Sequence, residues 1–492
     1  MRKKRRIFLC CLMTLLMAFV MAVPMSVSAA GNVAKIGDTE YGTIQAAVDA
    51  INASDSKNGQ IDVIANSTEN IKIPTGVTVT LNLAEGVVIS GGSIKDNGKA
   101  HTITNGGTLT ITGGGTLENT QSGSGVLFNN VSATAELNGC TYTGTSWYVI
   151  KNLGDMTIDG ATITQQDAGS SSIDNGWYGN GTSNDCGVGY PSDNSYVAKL
   201  TIEDGTFSGG MNTVKNDDYG WLEINGGSFS NTDGPTVLNW NVATINDGEF
   251  TVNNSSKSVI ANGYLDDIVD KGQLTITGGE FMSSNDGEGS IFGYGDGSND
   301  GGSVAISGGL FTGKVEVSEK YPYTPAISGG VYTSEVPSAY VNEGLAEISY
   351  YDSVEKEKVY IIGTVDEINY VLDELLQKGD SIDVITGDIA LDIYVTGVNI
   401  TNSGGGAVTV NDVSVDKDET VTTVEQEGNE PEEPSVEPTT PAETTPTEAA
   451  TTDTTVNEVQ TGDDSHMGIL LIMMTLAAAV AVGAVTVKRK AN

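Results

Sequence analysis

Arginine is nearly missing from this 492-residue chain: it occurs only at positions 2, 5, 6 and 489, so no chemistry that needs a guanidinium can operate between the ends. Histidine is limited to His101 and His466, and cysteine to Cys10, Cys11, Cys140 and Cys186. No Cys-x-x-Cys spacing occurs, which excludes a disulfide framework and a zinc–cysteine site; with Cys10 and Cys11 expected to leave with an N-terminal signal, Cys140 and Cys186 could form one disulfide at most. Positive charge is scarce as well. Lys and Arg total 24 against 64 acids, a net charge of −40. Such a chain repels phosphates, so nucleic acid is excluded as a partner.

The arginines sit at the ends. Residues 1–30 open with Arg2-Lys3-Lys4-Arg5-Arg6, continue apolar to Val23 and finish on the small residues Ser28-Ala29-Ala30, the pattern of a secretory signal peptide. Its removal takes five bases and no acid, leaving 19 bases against 64 acids and a net charge of −45. Residues 467–487 carry no charge and would span about 31 Å as a helix, enough for a bilayer core of about 30 Å. Lys488-Arg489-Lys490 follow, which keeps this end inside. Export to the cell surface is the expectation.

What is abundant is glycine, 62 residues, and its placement is periodic. One phrase recurs: an apolar alternation ending on Ile or Leu, a Gly pair or Asn/Asp-Gly, then an aromatic or β-branched residue. It reads Leu200-Thr201-Ile202-Glu203-Asp204-Gly205-Thr206-Phe207 and returns around Ile224, Ile245, Ile276, Ile306 and Ile327, with weaker copies around Ile89, Ile111, Leu137 and Ile158. The basic spacing is 21 or 22 residues, with one interval of 44 between Ile158 and Ile202. Alternation places Leu200 and Ile202 on one strand face, and the glycines turn the chain so that Phe207 points back to the same interior. One turn cannot bury that face alone; stacked turns can. The expected fold is all-β, a right-handed parallel β-helix (solenoid) with short capping helices, a disordered stalk and a C-terminal transmembrane helix. An antiparallel sandwich would not repeat one pair of inward residues at one period.

Apolar residues at 44, 47, 48 and 51 predict an amphipathic helix ahead of the first strands, a cap for the open end. The stretch from Gly363 repeats this segment at an offset of 321: Gly42-Thr43-Ile44 matches Gly363-Thr364-Val365, and Ile61-Asp62-Val63-Ile64 matches Ile382-Asp383-Val384-Ile385. The expected layout is therefore a solenoid with its cap over 31–350, a second cap-like module over 351–420, and a Thr/Pro/Glu-rich extended linker over 421–461. The sorting-signal-like tail occupies 462–492.

The lead-in Val33 to Ile44 and the phrase Gly329-Gly330-Val331-Tyr332-Thr333-Ser334-Glu335-Val336-Pro337-Ser338-Ala339-Tyr340 resemble Gram-positive bacterial surface proteins with pectate-lyase-like β-helices. The segment Glu458-Val459-Gln460-Thr461-Gly462, ahead of an apolar span and bases, is similar to a sortase sorting signal. That resemblance implies cleavage between Thr461 and Gly462 and attachment to peptidoglycan. Glu458 and Val459 depart from the family's Leu and Pro, so a plain single-span membrane anchor is the alternative. Enzymes on the resembling scaffold use an Arg or Lys base, or Gly-His-Gly and Arg-x-Lys motifs; no Arg is available between the ends, and neither His101 nor His466 sits in such a motif.

Two clusters are candidate sites. Lys215-Asn216-Asp217-Asp218-Tyr219 joins adjacent carboxylates to a lysine, and paired carboxylates can share a proton, making Lys215, Asp217 and Asp218 the weak catalytic candidates. The excursion from Gln165 to Val197 mixes flat rings with short polar groups, which suits a sugar: Trp177, Tyr178 and Tyr190 would stack, and Asp174 and Asp193 would hydrogen-bond. Asp296, Ser298 and Asp300 imitate the first half of a calcium loop, but Ser307 stands where the bidentate Glu belongs; a loosely held calcium ion is the only cofactor the spacing admits. His101 is expected as a solvent-facing strand residue and Cys140 as a small stacked one. The functional expectation is a non-catalytic display or adhesion protein that contacts glycans or a host matrix component, with a polysaccharide-active enzyme second and a structural spacer third.

Overall fold

The computed structural model describes residues 31–178, 184–185, 187–191, 196–263, 272–284, 289–293, 302–315 and 324–424. The signal-like segment, Asp193, Asp296, Ser298, Asp300, Thr461, Gly462 and the apolar span 467–487 lie outside them.

Strands dominate, and most pair parallel with their counterpart one repeat later, so that three ladders run side by side. In the first, Ile61, Leu81 and Ile111 are successive register partners at one end and Ile276, Ile306 and Ile327 at the other. The second carries the aromatic positions. Phe207, Phe229, Phe250, Phe281, Phe311 and Tyr332 stack ring on ring with centroids 4.7 to 4.9 Å apart, the spacing of neighbouring strands. The corner between these two ladders needs glycine. Gly227 and Gly248 take φ of +101° and +125°, and a Cβ on Gly227 would lie 3.0 Å from the Gly205 carbonyl oxygen.

One expected repeat is displaced. Ile89 lies in the second ladder, paired with Leu117, and Leu81 is the residue in register with Ile111. Ile94, which the spacing would send inward, is 76% exposed. In the early turns both strands alternate apolar and polar residues, so spacing alone does not tell one from the other.

The third ladder is built from a triplet that ends in asparagine: Ile103–Asn105, Leu127–Asn129, Ile150–Asn152, Ile173–Asn175, Val214–Asn216, Val237–Asn239 and Ile260–Asn262. Each of the first six asparagines donates its amide to the side-chain oxygen of the next at 2.7 to 2.8 Å, and all seven are fully buried. The remaining amide proton caps backbone carbonyls at the corner, as Asn216 does for Gly220 at 3.0 Å and Val242 at 2.9 Å. The ladder thereby satisfies the polar groups of a turn that has no water to meet them.

The 44-residue interval is one turn rather than two. Asp155–Asp159 pairs directly with Ala198–Ile202, and Ile173–Asn175 is that turn's ordinary third strand. The extra residues follow Asn175. The longer repeats after Ile245 and Ile276 are lengthened at the same place, after Asn262 and after Phe292–Gly293.

The helix expected at the start spans Ile44–Ala53 and buries Ile44, Ala47, Val48 and Ile51. Thr43 accepts from the Ala46 amide, and the Glu69 carboxylate accepts from Ile44 N at 3.0 Å and Gln45 N at 2.9 Å, setting an anion on the positive end of the helix. A second helix, Val365–Leu375, begins with a Thr364/Glu367 capping box. Both helices sit in one topology. An antiparallel hairpin precedes each, and the strand after the helix pairs antiparallel with the hairpin's first strand and parallel with the next strand on. In the second unit Lys358–Gly363 also pairs with Gly330–Tyr332, closing the edge that would otherwise template aggregation. Thr420–Thr422 pairs with Asn399–Thr401, so this unit runs past residue 420, where the linker was expected to begin.

Glu347 lies fully buried where the second unit meets the last turn; its Oε1 accepts from Val336 N at 3.4 Å and its Oε2 has no donor. Burial pushes its carboxyl up from 4.5 to about 7, with Glu335 adding to the rise and the Val336 amide opposing it. The folded chain therefore holds a proton between those values that the unfolded chain has released. This contribution to stability is complete below about pH 4.5, declines as pH rises and is gone above about 7. Glu347→Gln is expected to flatten that decline; melting curves of both proteins from pH 4.5 to 8 check it, and an unchanged pH slope contradicts it. Among the described residues no helix is long and apolar enough to cross a membrane.

Candidate functional site on the outer face of the third ladder

In each third-ladder triplet the first and last residues point inward, so the middle one stands on the outer face. On an open face that residue would meet water. Here the successive middle residues Phe128, Lys151, Asp174, Lys215 and Leu238 are all buried. The cover is aromatic. Trp147, Trp177, Tyr190, Tyr196 and Tyr219 form a cluster over Phe128 and Leu153, and Trp240 forms another with Leu238 and Ala261.

Beneath that cover lies a charge network. Lys151 Nζ reaches Asp174 Oδ2 and the Gly176 carbonyl, each at 2.5 Å, with both charged side chains fully buried. Lys215 Nζ lies 2.8 Å from Asp217 Oδ1 and sits over the rings of Tyr178 at 4.6 Å and Trp240 at 4.2 Å. Burial raises the Asp217 carboxyl well above its ordinary range, and Asp174 raises it further, while Lys215 and Lys151 pull it down. Asp174 Oδ1 and Asp217 Oδ2 have no donor while both acids are ionised. A proton held on Asp217 supplies one, because the two carboxyls lie in hydrogen-bonding contact. Asp218 lies beside this network.

The two sequence clusters thus meet in one place. Trp177 N donates to the Asp218 carbonyl at 2.9 Å, and Tyr190 Oη donates to Asp218 Oδ2 at 2.6 Å. Trp177 does not serve as a sugar platform: it is 1% exposed, with Tyr196 and Tyr219 set edgewise against it at 5.3 and 6.3 Å. Tyr190 is packed against Tyr219. Tyr178 is 44% exposed, with Lys215 Nζ 4.6 Å over its ring and the Trp240 ring 6.0 Å away. Lys151, Trp240 and Tyr148, whose ring lies 5.2 Å from Lys151 Nζ, were missed. The signal was present in the middle position of the asparagine triplet, which reads Lys, Asp, Lys over three consecutive turns.

His101 is buried, not solvent-facing: its Nδ1 accepts from Gly125 N at 3.1 Å, and its ring packs on Phe128 and Trp147. Desolvation lowers it to about 4, so it is neutral at physiological pH. It borders a cleft of about 160 Å³ with Lys72, Thr104 and Asn130 on the same outer face. Cys140 is buried and free. Among the described residues no group of acids, histidines and cysteines could hold a metal ion. No protein-family model, curated protein or solved structure matches the chain.

Proposed function

We propose that this chain is an exported, surface-anchored right-handed parallel β-helix that binds a glycan, or a glycan-bearing matrix component, without turning it over. The signal-like start, the linker and the charge-free span ahead of Lys488-Arg489-Lys490 support display outside the cell, with Thr461-Gly462 as the sortase cleavage pair or the span itself as the anchor. The observation that carries the binding reading is the covered outer face of the third ladder. All four tryptophans fall between positions 147 and 240, and half-exposed Tyr178 lies beside Lys215 and Trp240. A flat ring with hydrogen-bonding neighbours fits a pyranose, and the acidic surface disfavours polyuronates.

Tyr178→Ala in the full chain is expected to weaken binding to an array of neutral and amino-sugar glycans at least tenfold, about 1.4 kcal/mol, with the melting temperature unchanged. Undiminished binding would move the site elsewhere. The second reading, a polysaccharide-active enzyme, is favoured by the proton shared between Asp174 and Asp217. Release of reducing ends from neutral glycans or polyuronates, lost in Asp217→Asn, would establish it over the first.

A further inference from the structure

We propose that Lys151 and Asp174 join in an autocatalytic side-chain amide, an isopeptide cross-link between consecutive turns, with Asp217 as the acid that promotes it. The pair is the most deeply buried opposite-charge contact described: Nζ to Oδ2 is 2.5 Å and both side chains are fully inaccessible, so neither is solvated as an ion. They are direct register partners in the third ladder, which holds them face to face through the backbone on both sides. Asp174 Oδ1 has no donor, and Asp217 stands against Asp174 from the following turn.

Burying an ammonium and a carboxylate away from water is costly, and here both side chains are fully inaccessible. Proton transfer along the 2.5 Å Nζ–Oδ2 contact gives amine and acid. That form is what amide chemistry needs. The neutral Lys151 amine adds to the Asp174 carboxyl carbon, forming the C–N bond. Asp217, which desolvation and Asp174 keep protonated, donates to an oxygen of the tetrahedral adduct, and that oxygen leaves as water when the C–O bond breaks. The nitrogen's proton returns to Asp217. One ammonium and one carboxylate are consumed, and one amide and one water are formed; no oxidant or second substrate is required. Lys215 is not the partner, because its ammonium is stabilised over the faces of Tyr178 and Trp240 and it stays partly open to solvent.

The product would tie the turn that enters the excursion to the turn before it, cross-linking residues 23 apart in sequence into a covalent ring at the base of the candidate site. The test is peptide mapping of the purified full chain. A protease that cuts before aspartate cleaves at Asp155, Asp159 and Asp167, between the two residues, and is expected to yield a branched pair of peptides whose mass is the sum of the two less one water. Trypsin is expected to leave the Lys151–Asn152 bond uncut. Asp217→Asn, with circular dichroism to show that it folds, should give separate peptides of full mass, and Lys151→Met should give the same with a lower melting temperature. Separate full-mass peptides from the parent chain would overturn the cross-link. A branched pair that persists in Asp217→Asn would overturn the role of Asp217, and a link mapped to Lys215 would overturn the pairing.

Discussion

Replacing Asn216 with alanine is expected to destabilise the chain by on the order of 4 kcal/mol, a loss out of proportion to the few atoms removed. Its amide donates to Asn239 Oδ1 at 2.8 Å, to the Gly220 carbonyl and to the Val242 carbonyl, and its oxygen accepts from Asn175 Nδ2 at 2.8 Å. None of these groups can turn to water, since Asn175, Asn216 and Asn239 are all fully buried. An unsatisfied buried polar group costs about 1 to 3 kcal/mol, and the substitution strands several at once. Urea unfolding measures it, with Asn253→Ala on the exposed corner as the comparison. Equal midpoints for the two variants would show that the ladder contributes nothing beyond its backbone. Asn216→Asp tests the same point differently: it replaces a donor with a second acceptor facing Asn239 and is expected to be at least as damaging.

The second large effect belongs to the aromatic column. Phe250 is fully buried between Phe229 and Phe281, with ring centroids 4.7 and 4.8 Å away and interplanar angles of 7° and 6°. Phe250→Ala removes a core side chain and leaves a gap that flanking strands, fixed by parallel pairing on both sides, cannot close; the expected cost is about 3 to 5 kcal/mol. Thr244→Ala, on the outward face of the neighbouring strand, should change the unfolding midpoint little. Similar losses for both would mean that the inward positions are misassigned.

These two columns were unequally legible beforehand. The phenylalanine column was readable because large rings recur five residues after the first-ladder marker, and its members stack as the spacing required. The helix Ile44–Ala53 was readable for the same kind of reason, four apolar residues at helical spacing. The asparagine column stood in the sequence too, as seven apolar-x-Asn triplets. It escaped notice because asparagine near glycine is the ordinary signature of an exposed turn, and composition does not say whether such a residue faces water or a corner's interior. Ile89 was misplaced for a related reason: it belongs to a strand with the same alternation as its neighbour, and only the pairing with Leu117 tells them apart.

The sequence by itself determined the period, the inward residues of two ladders and the duplicated cap, because each is a local pattern whose physical cause, alternation or helical spacing, acts within a few residues. Only the tertiary structure decided where the insertion leaves the turn, that Trp177 is packing rather than platform, and that Lys151, Asp174, Lys215 and Asp217 form one buried network. Those four come from positions up to 66 residues apart in sequence and are brought together by parallel stacking, which places every third-ladder middle residue against the next. Burial, and with it the raised carboxyl of Asp217, is set by what covers a residue, and the covering rings come from several turns.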